Sequence, residues 1–243
     1  MIGIVGGIGP AAGLDLTEKI LYSDNGKQDS GRAPVILYSD ANAVHSRNDY
    51  LLGLSKDNPA DDIAGIIGKL IPLGISLVAV ACNAAHSKPI FNELIRQVKE
   101  KEYPVKLLHL IELLATKILN DTSYRRIGVM SIAGTYHADA YRDPFSNKYI
   151  EIIKLPEDYV NLMHEVIWSE NYGVKAYMNP TTTEALENAQ HVMDYYIDQG
   201  ADAIILGCTE YPLLLKEPLY RDIPILDANR YFAEIIIEEY EKI

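Results

Sequence analysis

The sequence predicts an α/β protein built from two related domains, each a small parallel sheet flanked by helices and joined across a cleft. Three observations carry this. Short apolar runs alternate with helix-period stretches along the chain, which is the pattern of parallel strands linked by helical crossovers. The pattern restarts at Arg126: Ile127-Gly128-Val129-Met130-Ser131-Ile132-Ala133-Gly134 echoes Ile2-Gly3-Ile4-Val5-Gly6-Gly7-Ile8-Gly9 at an offset of 125 (127 minus 2). The chain's two cysteines, Cys82 and Cys208, are offset by 126 (208 minus 82), and each closes an apolar run that begins after a glycine eight residues upstream, Gly74 or Gly200. Two matches at nearly one offset predict an internal duplication.

The elements follow in order. Ile2 to Val5 form a strand, Gly6 to Gly9 a turn, and Pro10 opens a helix to about Tyr22, because its missing N–H is not needed in a first turn. Residues 23–32 are polar loop, residues 34–39 a second strand, and the polar segment 40–50, with His45 and Arg47, follows its end. Ile63, Ile66, Ile67, Leu70 and Ile71 fall on one helical face. The strand to Cys82 comes next, then a helix presenting Phe91, Leu94, Ile95 and Val98. A short strand over 105–108 leads to a helix through Ile111, Leu114 and Ile118. In the second half, strands are expected at 127–130, 149–154, 203–207 and, more weakly, 223–226. Helices are expected at 158–169, from a capping box at Thr181 and Glu184 through Tyr196, and over 228–240.

Composition excludes several classes. The 243-residue chain carries 34 acidic and 22 basic residues, net −12, which argues against a nucleic-acid or anionic-membrane surface. No apolar run reaches the roughly 18 residues of a membrane span. The strand-like start without a basic stretch predicts no secretory leader and a cytoplasmic protein, so the sequon Asn120-Asp121-Thr122 is given no weight. Two cysteines make a poor disulfide framework.

Ligands of parallel sheets bind beyond the carboxyl ends of the strands. Both cysteines, both glycine turns and the 40–50 segment lie at such ends. Gly7-x-Gly9-x-x-Ala12 matches a dinucleotide fingerprint, but Asp40 is 33 residues past Gly7 rather than about 20, and Pro10 is awkward where amides should meet a pyrophosphate. Cys82 with His86 suggests two metal ligands, yet no second His/Cys cluster completes a set, and no metal is expected. His45, His109, His137, His164 and His191 read as surface or packing residues. The cysteines differ. Each sits where a strand hands over to a helix, near amide donors expected to favour thiolate. Set on opposite sides of a cleft, one thiolate can take a proton from carbon while the other thiol gives one to the opposite face, inverting a stereocentre.

Gly6-Gly7-Ile8-Gly9-Pro10, Ala81-Cys82-Asn83-Ala84-Ala85-His86 and Leu206-Gly207-Cys208-Thr209-Glu210 resemble, in kind and spacing, the motifs of the aspartate/glutamate racemase family, and they span nearly the whole chain. The resemblance implies a cofactor-independent racemase of an acidic amino acid, aspartate before glutamate. It implies two α/β domains, residues 1–112 plus 224–243 and residues 113–223, with the active site between them, and a homodimer. Cys82 and Cys208 become the two catalytic bases. Arg47 and Lys175 match substrate-binding cations, and Gly9, Asn83, Thr135 and Thr209 match substrate-binding positions. The chain departs from the family at Ala84, where threonine is usual, and around Arg47. Glu210 stands where dedicated glutamate racemases have histidine. Related two-cysteine enzymes, the hydantoin racemases and maleate isomerases, share this plan, and a catalytically silent amino-acid-binding protein is the reading from another class.

Overall fold

The structure, a computed structural model, describes residues 1–120, 123–146 and 148–243; the last two residues of the sequon lie outside the described residues. The first half runs β1 (Ile2–Gly6), α1 (Pro10–Ser23), β2 (Val35–Ser39), α2 (Arg47–Leu51), α3 (Pro59–Leu70), β3 (Leu77–Val80), α4 (Lys88–Glu100), β4 (Lys106–Leu107) and α5 (Leu110–Asn120). The second runs β5 (Arg126–Met130), α6 (Ala133–His137), α7 (Arg142–Phe145), β6 (Glu151–Ile152), α8 (Glu157–Trp168), α9 (Thr183–Asp198), β7 (Ala203–Leu206), α10 (Tyr211–Leu214), β8 (Leu219–Tyr220), β9 (Ile223–Asp227) and α11 (Ala228–Tyr240).

The duplication is visible in the sheets. One has the order β2-β1-β3-β4 and the other β6-β5-β7-β9, all parallel, with β8 added antiparallel at the outer edge. Register agrees as well: Ile2 pairs with Leu77 and, after the offsets, Ile127 pairs with Ala203. Gly74 and Gly200 both take φ 82°, the left-handed geometry that lets the chain turn from a helical segment into the strand.

Central strands are buried on both faces, and the two faces serve different cores. Ile2, Ile4, Leu77, Ala79, Ile127, Val129, Ala203 and Ile205 join one core shared by the halves, together with α5 and α11. The intervening residues face outward into separate cores: Val5, Val78 and Val80 against α3 and α4, Met130, Ile204 and Leu206 against α8 and α9. Period-2 alternation thus sorts side chains between a common and a private core.

The helices form for local reasons as well. In α3, Asn58 accepts from the Ala60 N–H, Pro59 opens the first turn beside Asp61 and Asp62, and Lys69 lies in the last turn.

Several expectations needed correction. The strand expected to reach Cys82 ends at Val80, and the strands expected over 105–108 and 149–154 shrink to two residues each. Ile95 is 47% exposed and does not join the buried face of α4. The cap of α9 is Thr182, accepting from the Ala185 N–H, not Thr181. The terminal stretch 224–243 divides: β9 runs in the second sheet beside β7, while α11 packs against α1 and α5. Among the described residues no helix is long and apolar enough to cross a membrane.

Candidate active site

The carboxyl ends of β1, β3, β5 and β7 meet across a cleft between the sheets. There Gly9, Arg47, Cys82, Asn83, Thr135, Lys175, Cys208 and Thr209, the residues singled out from sequence, line one cavity of about 380 Å³ that is partly open to solvent. The two thiols therefore share a single pocket, Cys82 arriving from the first sheet and Cys208 from the second.

Cys208 is buried, and its thiol donates to Glu210 Oε2 at 3.1 Å. The Thr209 hydroxyl donates to the same oxygen at 3.0 Å, while Lys175 Nζ pairs with Oε1 at 2.5 Å and stands 5.1 Å over the Trp168 ring. Burial pushes the Cys208 thiol well above its ordinary value, and the Glu210 charge pushes it further. The Glu210 backbone N–H and Lys175 pull the other way and lose. Strand-end amides were expected to favour thiolate; at Cys208 desolvation and a neighbouring carboxylate outweigh them. Burial opposes charge on both members of the ion pair, but the pairing prevails: Lys175 is raised, and Glu210 is lowered by Lys175 and by its hydrogen bonds.

Arg47 opens α2 and is about nine-tenths buried. Its terminal nitrogens donate to the carbonyls of Ile8 (3.0 Å), His45 (2.8 Å) and Val44 (3.3 Å), so the guanidinium ties the turn after β1 to the segment after β2. Both terminal nitrogens of the fork are thus engaged by backbone carbonyls. Arg47 lines the pocket, and its Nε is buried and without a partner.

Two further polar atoms share that condition. Asn83 is buried, and its Oδ1 accepts from the Tyr141 hydroxyl, but Nδ2 has no partner; Thr135 Oγ1 is buried and unpaired in α6. The neighbouring Gly134 N–H is engaged, donating to Asn48 Oδ1 at 3.0 Å across the cleft. Gly9 contributes room: a Cβ there would meet Glu210 Oε1, so a larger residue would displace the carboxylate from this place.

Among the described residues no cluster of three or more His, Cys, Asp or Glu side chains could hold a metal. His86 serves the framework instead. Its Nε2 lies 3.1 Å from the Val80 carbonyl, and Nδ1 accepts from the Leu110 N–H at 3.3 Å. Glu210, Asn48, Trp168 and Tyr141 were not assigned to the site from sequence. For Glu210 a signal existed, its place two residues past Cys208; its partner Lys175, 35 residues away, became visible only in the fold.

The Asp/Glu/Hydantoin racemase family profile matches residues 5–236. A glutamate racemase of Acidothermus cellulolyticus is 27% identical over 149 residues, 61% of this chain and 51% of that protein. One of Corynebacterium glutamicum is 26% identical over 152 residues, 61% of this chain and 49% of that protein. The chain spans about half the length of the relatives it matches. In fold it is similar to the Picrophilus torridus aspartate racemase (TM-score 0.80, 24% identity, 99% and 94% of the two chains covered). It is also similar to a glutamate racemase of Bacillus anthracis (TM-score 0.69, 17% identity, 100% and 82% covered).

Proposed function

Because the chain belongs to the Asp/Glu/hydantoin racemase family, we propose that it interconverts the L and D forms of an acidic amino acid, aspartate in preference to glutamate, without pyridoxal phosphate and with Cys82 and Cys208 as opposed base and acid. The observation that carries this reading is the set of buried, unpartnered polar atoms on residues that line the pocket holding both thiols: Arg47 Nε, Asn83 Nδ2 and Thr135 Oγ1. Leaving a buried polar group unsatisfied costs about 1–3 kcal/mol, so donors left this way in a cleft suit a ligand rich in acceptors, such as a carboxylate.

The chemistry asks for a carbanion beside a carboxylate. One sulfur takes the Cα proton while the other thiol delivers its own to the opposite face, and fixed donors around the substrate carboxylate hold the developing charge. Lys175 is the cation suited to a second carboxylate. Ala84 forms part of the pocket wall where the family has a hydroxyl, which leaves more room and one donor fewer. We further propose a cytoplasmic homodimer that covers the outer face of α1, where Leu14, Leu21 and Tyr22 are exposed.

Proton NMR of L-aspartate and L-glutamate in heavy water, followed by chiral analysis, tests the activity. Loss of the α-proton signal with appearance of the D isomer is expected. Binding without exchange would favour a silent binding protein, and exchange confined to hydantoins or isomerisation of maleate would favour the related two-cysteine enzymes. Cys82→Ser and Cys208→Ser should each lower racemisation by a factor on the order of 10³ or more; parent-like rates in either would overturn the two-base assignment.

A further inference from the structure

Glu210 is the one carboxylate among the described residues lining the cavity, and it is hydrogen-bonded to one of the two sulfurs, that of Cys208. It follows Cys208 by two residues, accepts a hydrogen bond from that thiol at 3.1 Å through Oε2, and reaches across the cleft until Oε1 fills the space a Gly9 side chain would need. Lys175 holds Oε1 and Thr209 shares Oε2, so the carboxylate is fixed and ionised where it meets Cys208.

We propose that Glu210 is a positioning residue that makes the two thiols unequal, holding Cys208 as the proton-carrying thiol of the empty pocket and leaving Cys82 as the sulfur that acts first as base. This rests on the racemase reading for its consequence but not for its measurement. The physical cause is local. A thiol donating to an ionised carboxylate is stabilised, whereas a thiolate at the same place meets a like charge at hydrogen-bond range. The other groups facing Cys208 do not cancel this. Lys175 attracts a thiolate, but its ammonium is bonded to Glu210. The phenols of Tyr141 and Tyr211 are pushed well up by burial and bring no charge at neutral pH.

In one turnover the Cys82 thiolate takes the Cα proton and Cys208 gives its proton to the opposite face. The negative charge thereby moves to the Cys208 sulfur, next to Glu210. Solvent then returns a proton to Cys208 and Cys82 releases one, restoring the resting state. The resting form is therefore the one that processes the enantiomer whose Cα–H faces Cys82, and the other enantiomer is processed by the form in which the proton has moved from Cys208 to Cys82.

Thiolate absorbance near 240 nm, followed against pH, reads each sulfur separately: Cys208→Ser reports Cys82, and Cys82→Ser reports Cys208. Cys208 is expected to ionise at the higher pH. Adding Glu210→Gln to the Cys82→Ser protein should move that transition down by about one pH unit or more, since the negative charge that opposes the thiolate is removed. If Glu210→Gln does not fold, Glu210→Ala removes the same charge and is read in the same way. Equal transitions for the two sulfurs, or no downward movement on neutralising Glu210, would overturn the proposal. These titrations do not require racemisation, so they separate a failure here from a failure of the proposed activity.

Discussion

Arg47 uses three of the donors of its guanidinium on backbone carbonyls from two segments, and this gives its positive charge a structural role beside the binding role proposed above. Lysine keeps the charge but cannot span Ile8, Val44 and His45 with one flat group. Arg47→Lys is therefore expected to lower stability by about 2 kcal/mol, as hydrogen bonds to a charged donor are lost, and to raise KM together with that loss. Urea unfolding and steady-state kinetics on the same protein check both. A change in KM without a change in stability would mean the carbonyl bonds contribute little. At this scale the sequence was most informative where a residue type and a strand end coincide, as at Cys82 and Cys208. It was least informative where a role depends on a partner from elsewhere in the chain. Nothing near Arg47 in the sequence says that its fork turns back to Ile8, 39 residues away, or that Asn48 will meet Gly134, 86 residues away.

Among the elements, α9 shows how a correct pattern can be misaligned by one residue. Thr181, Thr182 and Thr183 are consecutive, and the capping-box rule chose the first. In the fold Thr182 caps the helix, and its hydroxyl also donates to the Tyr172 carbonyl at 2.7 Å, a tertiary contact that selects among the three. Thr182→Ala should cost about 1 kcal/mol, whereas Thr181→Ala should stay within a few tenths; paired thermal melts distinguish the two. The junction of β3 with α5 depends on His86, which is fully buried and bonded to backbone on both sides. Burial, with His109 adjacent, holds its ring well below the ordinary histidine value. An unfolded histidine takes up a proton near pH 6.5. Below that pH the unfolded chain binds more protons than the folded one, so stability falls as the pH drops. His109 and His164, lowered by burial, act with the same sign, while exposed His45, raised by its bond to Asp62, acts against them. Urea midpoints at about pH 7.5 and about pH 5.5, either side of that value, should therefore differ in favour of the higher pH, and His86→Gln should narrow the gap.

For the whole molecule, the alternation of helix and strand was enough to read the fold class, and the offsets of 125 and 126 were enough to read the duplication. The exchange at the C-terminus was not legible. Ile223 to Asp227 carry a strand signal with no indication of which sheet receives them, and that choice is made by the free edge of β7. The outer face of α1 leads to a prediction at the same scale. The protein should sediment at twice the 27.1 kDa mass of one chain, and Leu14→Glu with Tyr22→Glu should shift it toward the single-chain value; an unchanged dimer would place the contact elsewhere. A last consequence belongs to the alternating strand faces. A polypeptide holding only one half would leave Ile2, Ile4, Leu77 and Ala79, or their counterparts Ile127, Val129, Ala203 and Ile205, open to water. The natural way for such a fragment to hide that face is against a copy of itself, with one strand-end cysteine from each. With both halves in one chain, each cysteine's neighbours are free to differ: Ala84 follows Asn83 on one side and Glu210 follows Thr209 on the other, a difference that a pair of identical half-chains is not able to hold.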